Sequence, residues 1–377
     1  MQALAGYRRL FPVTERFIFF NHAGVSPISL KAAEVVHEFL IDYTRNGSVN
    51  SKLWERKTEE ARKDFARLIG AEPGEVAFVK NTSEGISLVA NGIGFEPGDN
   101  VVIPSLEFPA NVYPWLNLAR FGVATRIVPA RKGRISVKDI DKAIDRRTRL
   151  VSISSVEYSN GFRNDLEALG SLCRKRDIYF CVDAIQSLGA IPMDVKRFGI
   201  DLLAADGHKW LLSPEGAGGF YCSKRVLSQI HPAKVGWKSV VRARDYSRID
   251  FTLRRNSKKF EEGSLNLMTI AALGAELKLL LEVGLAAIEK MILSLTDHLI
   301  AGLRQQGFPI VSSLYPRERS GIVSFLSRDP EAVCQRLKHK GIIVSVRDGA
   351  VRVSPHFYNS HEEVDKLLEV LGKSRLN

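Results

Sequence analysis

Leu202-Leu203-Ala204-Ala205-Asp206-Gly207-His208-Lys209-Trp210 is an apolar run that closes on an acid, a glycine, a histidine and a lysine. Upstream, Tyr179-Phe180-Cys181-Val182-Asp183-Ala184-Ile185-Gln186 repeats the plan, with the acid at Asp183. Short, nearly continuous apolar runs bounded by polar residues mark strands buried on both faces, as in a parallel sheet. Such sheets bind ligands outside the C-terminal ends of their strands. Asp183 and Lys209 are therefore expected at one ligand-binding edge, on successive strands.

The same pattern extends in both directions. Strands are predicted at Val76–Val79, Asn100–Pro104, Thr125–Val128, Leu150–Val156 and Gly218–Tyr221. Helical periodicity fills the intervals: Leu30–Asn46, Lys52–Ile69, Ser83–Asn91, Ala110–Phe121, Val137–Ile144, Leu166–Arg176 and Thr269–Glu282. This alternation predicts an α/β fold with a mainly parallel sheet covered by helices. Beyond Val283-Gly284 the pattern changes. An amphipathic helix over Leu285–Gly307 precedes strand-like runs at Gly321–Leu326, Ile342–Val346 and Ala350–Val353, with helices at Pro330–Lys340 and His361–Lys373. The expected organisation is an N-terminal arm (1–25) near the active site, a large domain (26–283) and a small α+β domain (284–377).

Composition narrows the class. The 377 residues are 45% hydrophobic and 25% charged, which is ordinary for globular chains and ample for a buried core. Four scattered cysteines form no metal or disulfide framework and fit a reducing compartment. Neither a signal peptide nor a membrane span is read, so a cytoplasmic protein is expected. The net charge of +12 could serve nucleic acid, acidic lipid or anionic ligands. Apart from Arg254, Arg255, Lys258 and Lys259 the basic residues are dispersed, without the aromatic interleaving of a nucleic-acid groove. No nucleic-acid or membrane partner is expected.

Four segments carry chemistry. A lysine just past a buried strand is costly unless it snorkels to solvent or has a task. One such task is to hold pyridoxal 5'-phosphate (PLP) as a Schiff base and shuttle protons at the substrate carbon. An acid ending the neighbouring strand, Asp183, suits the ring nitrogen of that cofactor, although helix capping is an equal use for it. Asn81-Thr82-Ser83-Glu84-Gly85 puts two hydroxyls at a helix start, where unpaired amides can seat a phosphate; plain capping reads the same way. In Glu107-Phe108-Pro109-Ala110-Asn111, Phe108 could stack on a planar ring or pack in the core.

In order, Thr82-Ser83-Glu84-Gly85, Glu107-Phe108, Asp183-x-x-Gln186, Gly207-His208-Lys209, Phe260-Glu261-Glu262-Gly263-Ser264 and Arg352-x-Ser354 with Phe357-Tyr358-Asn359 form a set that resembles the class V aminotransferase family of fold-type I PLP enzymes. The relatives include cysteine desulfurases, kynureninases and isopenicillin-epimerase-like proteins, and the likeness runs from about Phe17 to the C-terminus. It implies that Lys209 is the Schiff-base lysine and Asp183 the partner of the ring nitrogen. Gln186 is similar to the residue that bonds the ring hydroxyl. Thr82, Ser83 and His208 are similar to the phosphate contacts. Ser264 stands where the family reaches the partner subunit's phosphate, which implies a homodimer with shared sites. Arg352 resembles the arginine that forks onto the substrate carboxylate. Asn21-His22-Ala23-Gly24 resembles the loop closing over the substrate, with His22 a candidate proton-transfer group.

The sequence also departs from the desulfurases. Phe108 replaces their ring-stacking histidine. Only Arg347-Asp348-Gly349-Ala350-Val351 precedes Arg352, with no cysteine. Asp206 replaces a phosphate-binding serine, and a carboxylate there would repel phosphate unless it points away or serves another partner. These departures disfavour a desulfurase. The reaction expected first is transamination of an amino acid. Epimerisation or carbon–sulfur cleavage on the same scaffold is the alternative, kynureninase-like hydrolysis a further option, and a non-catalytic PLP sensor or a basic nucleic-acid binder a remote one. Lys209→Ala should abolish the visible absorbance of the PLP-loaded protein; the same spectrum surviving dialysis of that variant would refute the lysine assignment.

Overall fold

A computed structural model describes residues 6–372. Its strands are β1 (Ile18–Phe19), β2 (Val76–Val79), β3 (Asn100–Pro104), β4 (Ala124–Val128), β5 (Thr148–Ser154), β6 (Tyr179–Asp183), β7 (Leu202–Asp206), β8 (Gly218–Cys222), β9 (Val323–Phe325), β10 (Ile342–Ile343), β11 (Ser345–Arg347) and β12 (Ala350–Val353). Seven of them form one sheet in the order β2-β8-β7-β6-β5-β3-β4. Strand β8 runs antiparallel to both its neighbours, and the other pairings are parallel. The expected α/β architecture is the observed one.

Successive residues of a strand face opposite sides. Here that alternation builds two cores. Phe180, Val182, Leu203 and Ala205 join a cluster with Phe65, Leu169 and Leu277. Cys181, Leu202 and Ala204 join another with Ile86, Val89 and Trp115. Strands covered on both faces have no polar side, which is why the sequence shows continuous apolar runs rather than alternation.

One glycine is decisive for the site. A Cβ on Gly85 would lie 2.6 Å from Ala204 Cβ, so only glycine lets the helix Thr82–Gly92 settle directly onto β7. That close seat brings the helix start beside the end of the strand that carries Lys209. The helix predicted over Ala110–Phe121 is instead three short pieces, Pro109–Asn111, Tyr113–Leu116 and Asn117–Phe121. Pro109 and Pro114 cannot donate backbone bonds, which breaks a continuous helix.

A third core holds Phe20, Leu295, Leu299, Val323, Phe325, Val351, Val353 and Leu367. It is backed by the antiparallel sheet β11-β12-β9 and by β1 pairing in parallel with β10. The run Ile342–Val346 therefore serves two sheets and divides at Val344. The N-terminal segment is tied down further: Phe11 stacks on Tyr358 at 3.9 Å, and Arg8 pairs with Glu363 at 2.6 Å. The predicted last helix ends at Gly372, and Lys373 lies outside the described residues. Phe20 is fully buried in this core, so Phe20→Ala should cost about 3–5 kcal/mol, read as a lower denaturant midpoint.

Candidate active site

A cavity of about 380 Å³ opens at the C-terminal ends of β6 and β7. Its wall includes Asn21, Thr82, Ser83, Phe108, Asp183, Gln186, His208, Lys209 and Arg352, gathered from the arm, the sheet edge and β12. Nine of the eleven residues singled out in the sequence thus meet in one place. The size suits a cofactor-sized ligand.

Asp183 is fully buried at the end of β6, and burial raises its pKa to about 6. The Ile185 amide, donating to Oδ1 at 3.0 Å, and the Lys209 charge oppose that rise. Lys209 is half-buried, with its amine 5.6 Å from the centre of the Phe108 ring. Burial lowers its pKa to about 8; Asp183 and Asp206 act the other way, while Arg352 and Arg347 add to the fall. An amine near neutrality is what attack on a carbonyl carbon needs. Phe108 is 44% exposed and lines the cavity, so it is not a core residue.

The helix start is arranged for an anion. Asn81 caps it by accepting from the Glu84 amide at 2.9 Å. Thr82 Oγ1 accepts from the Asp206 amide at 3.0 Å, which leaves its own proton free to donate. Asp206 is buried and its Oδ2 lies 2.9 Å from His208 Nδ1. Of the two uses left open for this acid the structure shows a partner, His208. Gln186 spends its carbonyl on Trp210 Nε1 (3.0 Å) and one amide proton on Ala23 O (3.1 Å), so one donor proton remains. Arg352 donates from Nη1 to Tyr158 O at 2.7 Å, while its Nη2 is buried without a partner.

One expectation needs correction. His22 does not reach the cavity: its Nδ1 lies 2.8 Å from Ser354 O, its Nε2 2.6 Å from Tyr358 OH, and the ring is fully buried. Burial and the neighbouring His356 push its pKa well below the usual range. It is a neutral packing histidine that ties the arm to β12. Ser264, expected to serve a partner subunit, is exposed and stands outside this chain's own cavity. The local basic run is also no surface stripe, since Lys259 donates to the carbonyls of Leu227 and Ile230 and Lys258 pairs with Glu59.

Sequence reasoning missed two buried carboxyls. Glu107 accepts from Ser154 N and Oγ (both 2.6 Å) and Asn111 Nδ2 (2.8 Å), and burial raises its pKa to about 8. Glu157 is fully buried, and its pKa is raised well above the usual range by burial and by Glu107. Glu107 sits next to Phe108 in the quoted motif, but nothing in the sequence marks it as buried.

The family model for aminotransferase class V matches residues 18–367. The chain belongs to that family. A probable cysteine desulfurase of Methanothermobacter thermautotrophicus is 32% identical, over 97% of this chain and 96% of its own. The apo cysteine desulfurase of Thermococcus onnurineus NA1 is 28% identical, covers 98% of this chain and 97% of its own, and superposes with a TM-score of 0.90. A cystine C–S lyase in complex with its product cysteine persulfide shares the fold, at 24% identity and a TM-score of 0.90, over 96% and 99% of the two chains.

These likenesses overturn the expectation of transamination, and with it the argument that sets desulfurases aside. A missing nucleophile removes one route to carbon–sulfur cleavage, attack of a thiolate on the sulfur, but leaves β-elimination open. The class V cofactor is PLP, and the residues fit it. An amine, a buried acid, a phenyl ring, a hydroxyl-lined helix start and an unpartnered guanidinium nitrogen face one cavity. Since Asp183 favours the charged amine, PLP incorporation into apo-protein should rise with pH around a midpoint near 8, and Asp183→Asn should move that midpoint lower. A midpoint near 10.5 in the unsubstituted protein would show an ordinary exposed lysine.

Proposed function

We propose that this chain is a PLP-dependent lyase that cleaves the carbon–sulfur bond of cysteine or a close sulfur analogue. The names of its relatives support the reaction class. The observation that carries the lyase form is the cavity wall itself, which brings Lys209, Asp183 and Arg352 together and includes no cysteine. Cys173, Cys181 and Cys222 are buried, and Cys334 lies on the helix Pro330–His339.

The residues divide the work. Arg352 holds the substrate carboxylate through its free nitrogen, which fixes the α-carbon beside Lys209. Phe108 keeps the ring plane, and Asp183 holds the ring nitrogen's proton. Thr82, Ser83 and His208 hold the phosphate. When bound, PLP supplies an electron sink for the pair left at the α-carbon. Lys209 takes the α-proton, and the sulfur then leaves the β-carbon as thiolate. The balance is cysteine plus water giving pyruvate, ammonia and hydrogen sulfide.

The wider reading follows the same lines. The chain divides into an arm (1–25), a large domain (26–283) and a small domain (284–377). It works in the cytoplasm as a homodimer, with Ser264 serving the partner's phosphate. The exposure of Ser264 supports this, as do the exposed side chains of Trp237, Tyr246 and Phe251 on the preceding stretch.

The test is PLP-loaded protein with L-cysteine and no amino acceptor. Pyruvate and sulfide should appear in equal amounts. Alanine with sulfur on an added thiol would mark the desulfurase form of the same cleavage. Intact cysteine, with keto acid formed only when an acceptor is supplied, would overturn the proposal.

A further inference from the structure

The hairpin β11–β12 carries a second arginine into the cavity. Its tip is the two-residue turn Asp348-Gly349, both with positive φ (48° and 73°). The register pairs Ser345 with Arg352 and Arg347 with Ala350. Opposed residues of an antiparallel pair share a face, and so do residues two apart on one strand. Arg347 and Arg352 therefore project from the same face as diagonal neighbours, a relation that spaces side-chain origins by roughly 7–8 Å. Both line the cavity beside Lys209.

Like charges so placed repel. Burial lowers the Arg352 pKa to about 9, and the charge of Arg347 adds to that fall. The charge of Asp348 offsets only part of that fall, and among the described residues no carboxylate forms an ion pair with either arginine. Asp348 itself accepts from Tyr158 OH at 3.1 and 3.2 Å. Arg347 donates from Nη1 only to the adjacent Val346 carbonyl at 2.6 Å, and Arg352 Nη2 has no partner. The turn is too short to let Arg347 swing away with a mobile loop. One substrate carboxylate occupies Arg352. A second cation one diagonal step further out calls for a second anion.

We infer that Arg347 is a specificity-determining residue that selects amino acids with an anionic group on the side chain. Within the proposed function, on which this part rests, the substrate is a cysteine derivative whose sulfur substituent carries negative charge, such as an S-sulfonate, whose sulfur leaves the β-carbon as thiosulfate with pyruvate and ammonia as the other products. The two cations hold the two ends of the molecule, which places the Cβ–S bond across the mouth of the cavity, between the hairpin tip and Lys209.

The experiment titrates PLP-loaded protein with L-aspartate, a dianion without sulfur, and with L-alanine, reading the visible absorbance of the bound cofactor. The unsubstituted protein should bind aspartate about tenfold or more tightly than alanine, the scale of one charge-assisted contact. Arg347→Gln should bring that ratio to about one. The ratio of kcat/KM for L-cysteine S-sulfonate over L-cysteine should fall by a similar factor. Equal binding of aspartate and alanine by the unsubstituted protein would overturn the inference. So would an equal loss for both ligands in R347Q, which would mean that the two arginines clamp one carboxylate. Preference for aspartate without any sulfur release would keep the specificity and refute the lyase; sulfur release without that preference would do the reverse.

Discussion

The structure turns on an amine and a carboxyl held together away from water. Asp183 ends β6 and Lys209 follows β7, and the two strands are neighbours in the sheet. Each charge alone would be expensive there, and each eases the other's desolvation. The parallel pairing β5-β6-β7 fixes their relative height. Gly85 then lets a helix start approach the same edge, so the anion seat lies within reach of the amine. The remaining groups of the site arrive from the arm, from the segment after β3 and from β12.

Much of that was legible because doubly covered strands write themselves as apolar runs. The bounds of β2, β3, β6 and β7 agree residue for residue with the reading, and their ends carry the acid and the lysine. What stayed hidden depends on contacts between distant segments. Two-residue β1 has no periodicity to read, and it exists because Ile342 and Ile343 accept it as a partner. The same pairing splits a run that local sequence presents as one strand. His22 shows the limit for side chains. A histidine in a loop beside an active-site asparagine invites a proton-transfer role, but Tyr358 and Ser354, over 330 residues away, consume both ring nitrogens. Glu107 and Glu157 were silent for the same reason, since burial is a property of the fold.

The change in expected reaction has a physical lesson. Sequence motifs fix the groups shared by all class V chemistry: amine, acid, phosphate seat and carboxylate fork. None of these distinguishes a proton returned to the substrate from a sulfur expelled from it. The absent loop cysteine looked diagnostic because it is a named catalytic group. Its job, however, is to attack the sulfur, and β-elimination releases the same atom without such an attack, with the electron pair leaving on sulfur instead of staying on carbon.

Gln186 connects these levels. Its amide oxygen takes the indole proton of Trp210, next to Lys209, and its amide nitrogen donates to Ala23 in the arm. Trp210 O lies 3.1 Å from His356 Nε2, and His22 bonds the Ser354 carbonyl between β12 and that histidine. The residue after Lys209, the arm that lines the cavity and the strand that presents Arg352 are thus joined by buried hydrogen bonds. Few of these groups have freedom to spare, because each unmade bond in such surroundings costs about 1–3 kcal/mol. The network therefore limits how far the arm can lift without disturbing Trp210.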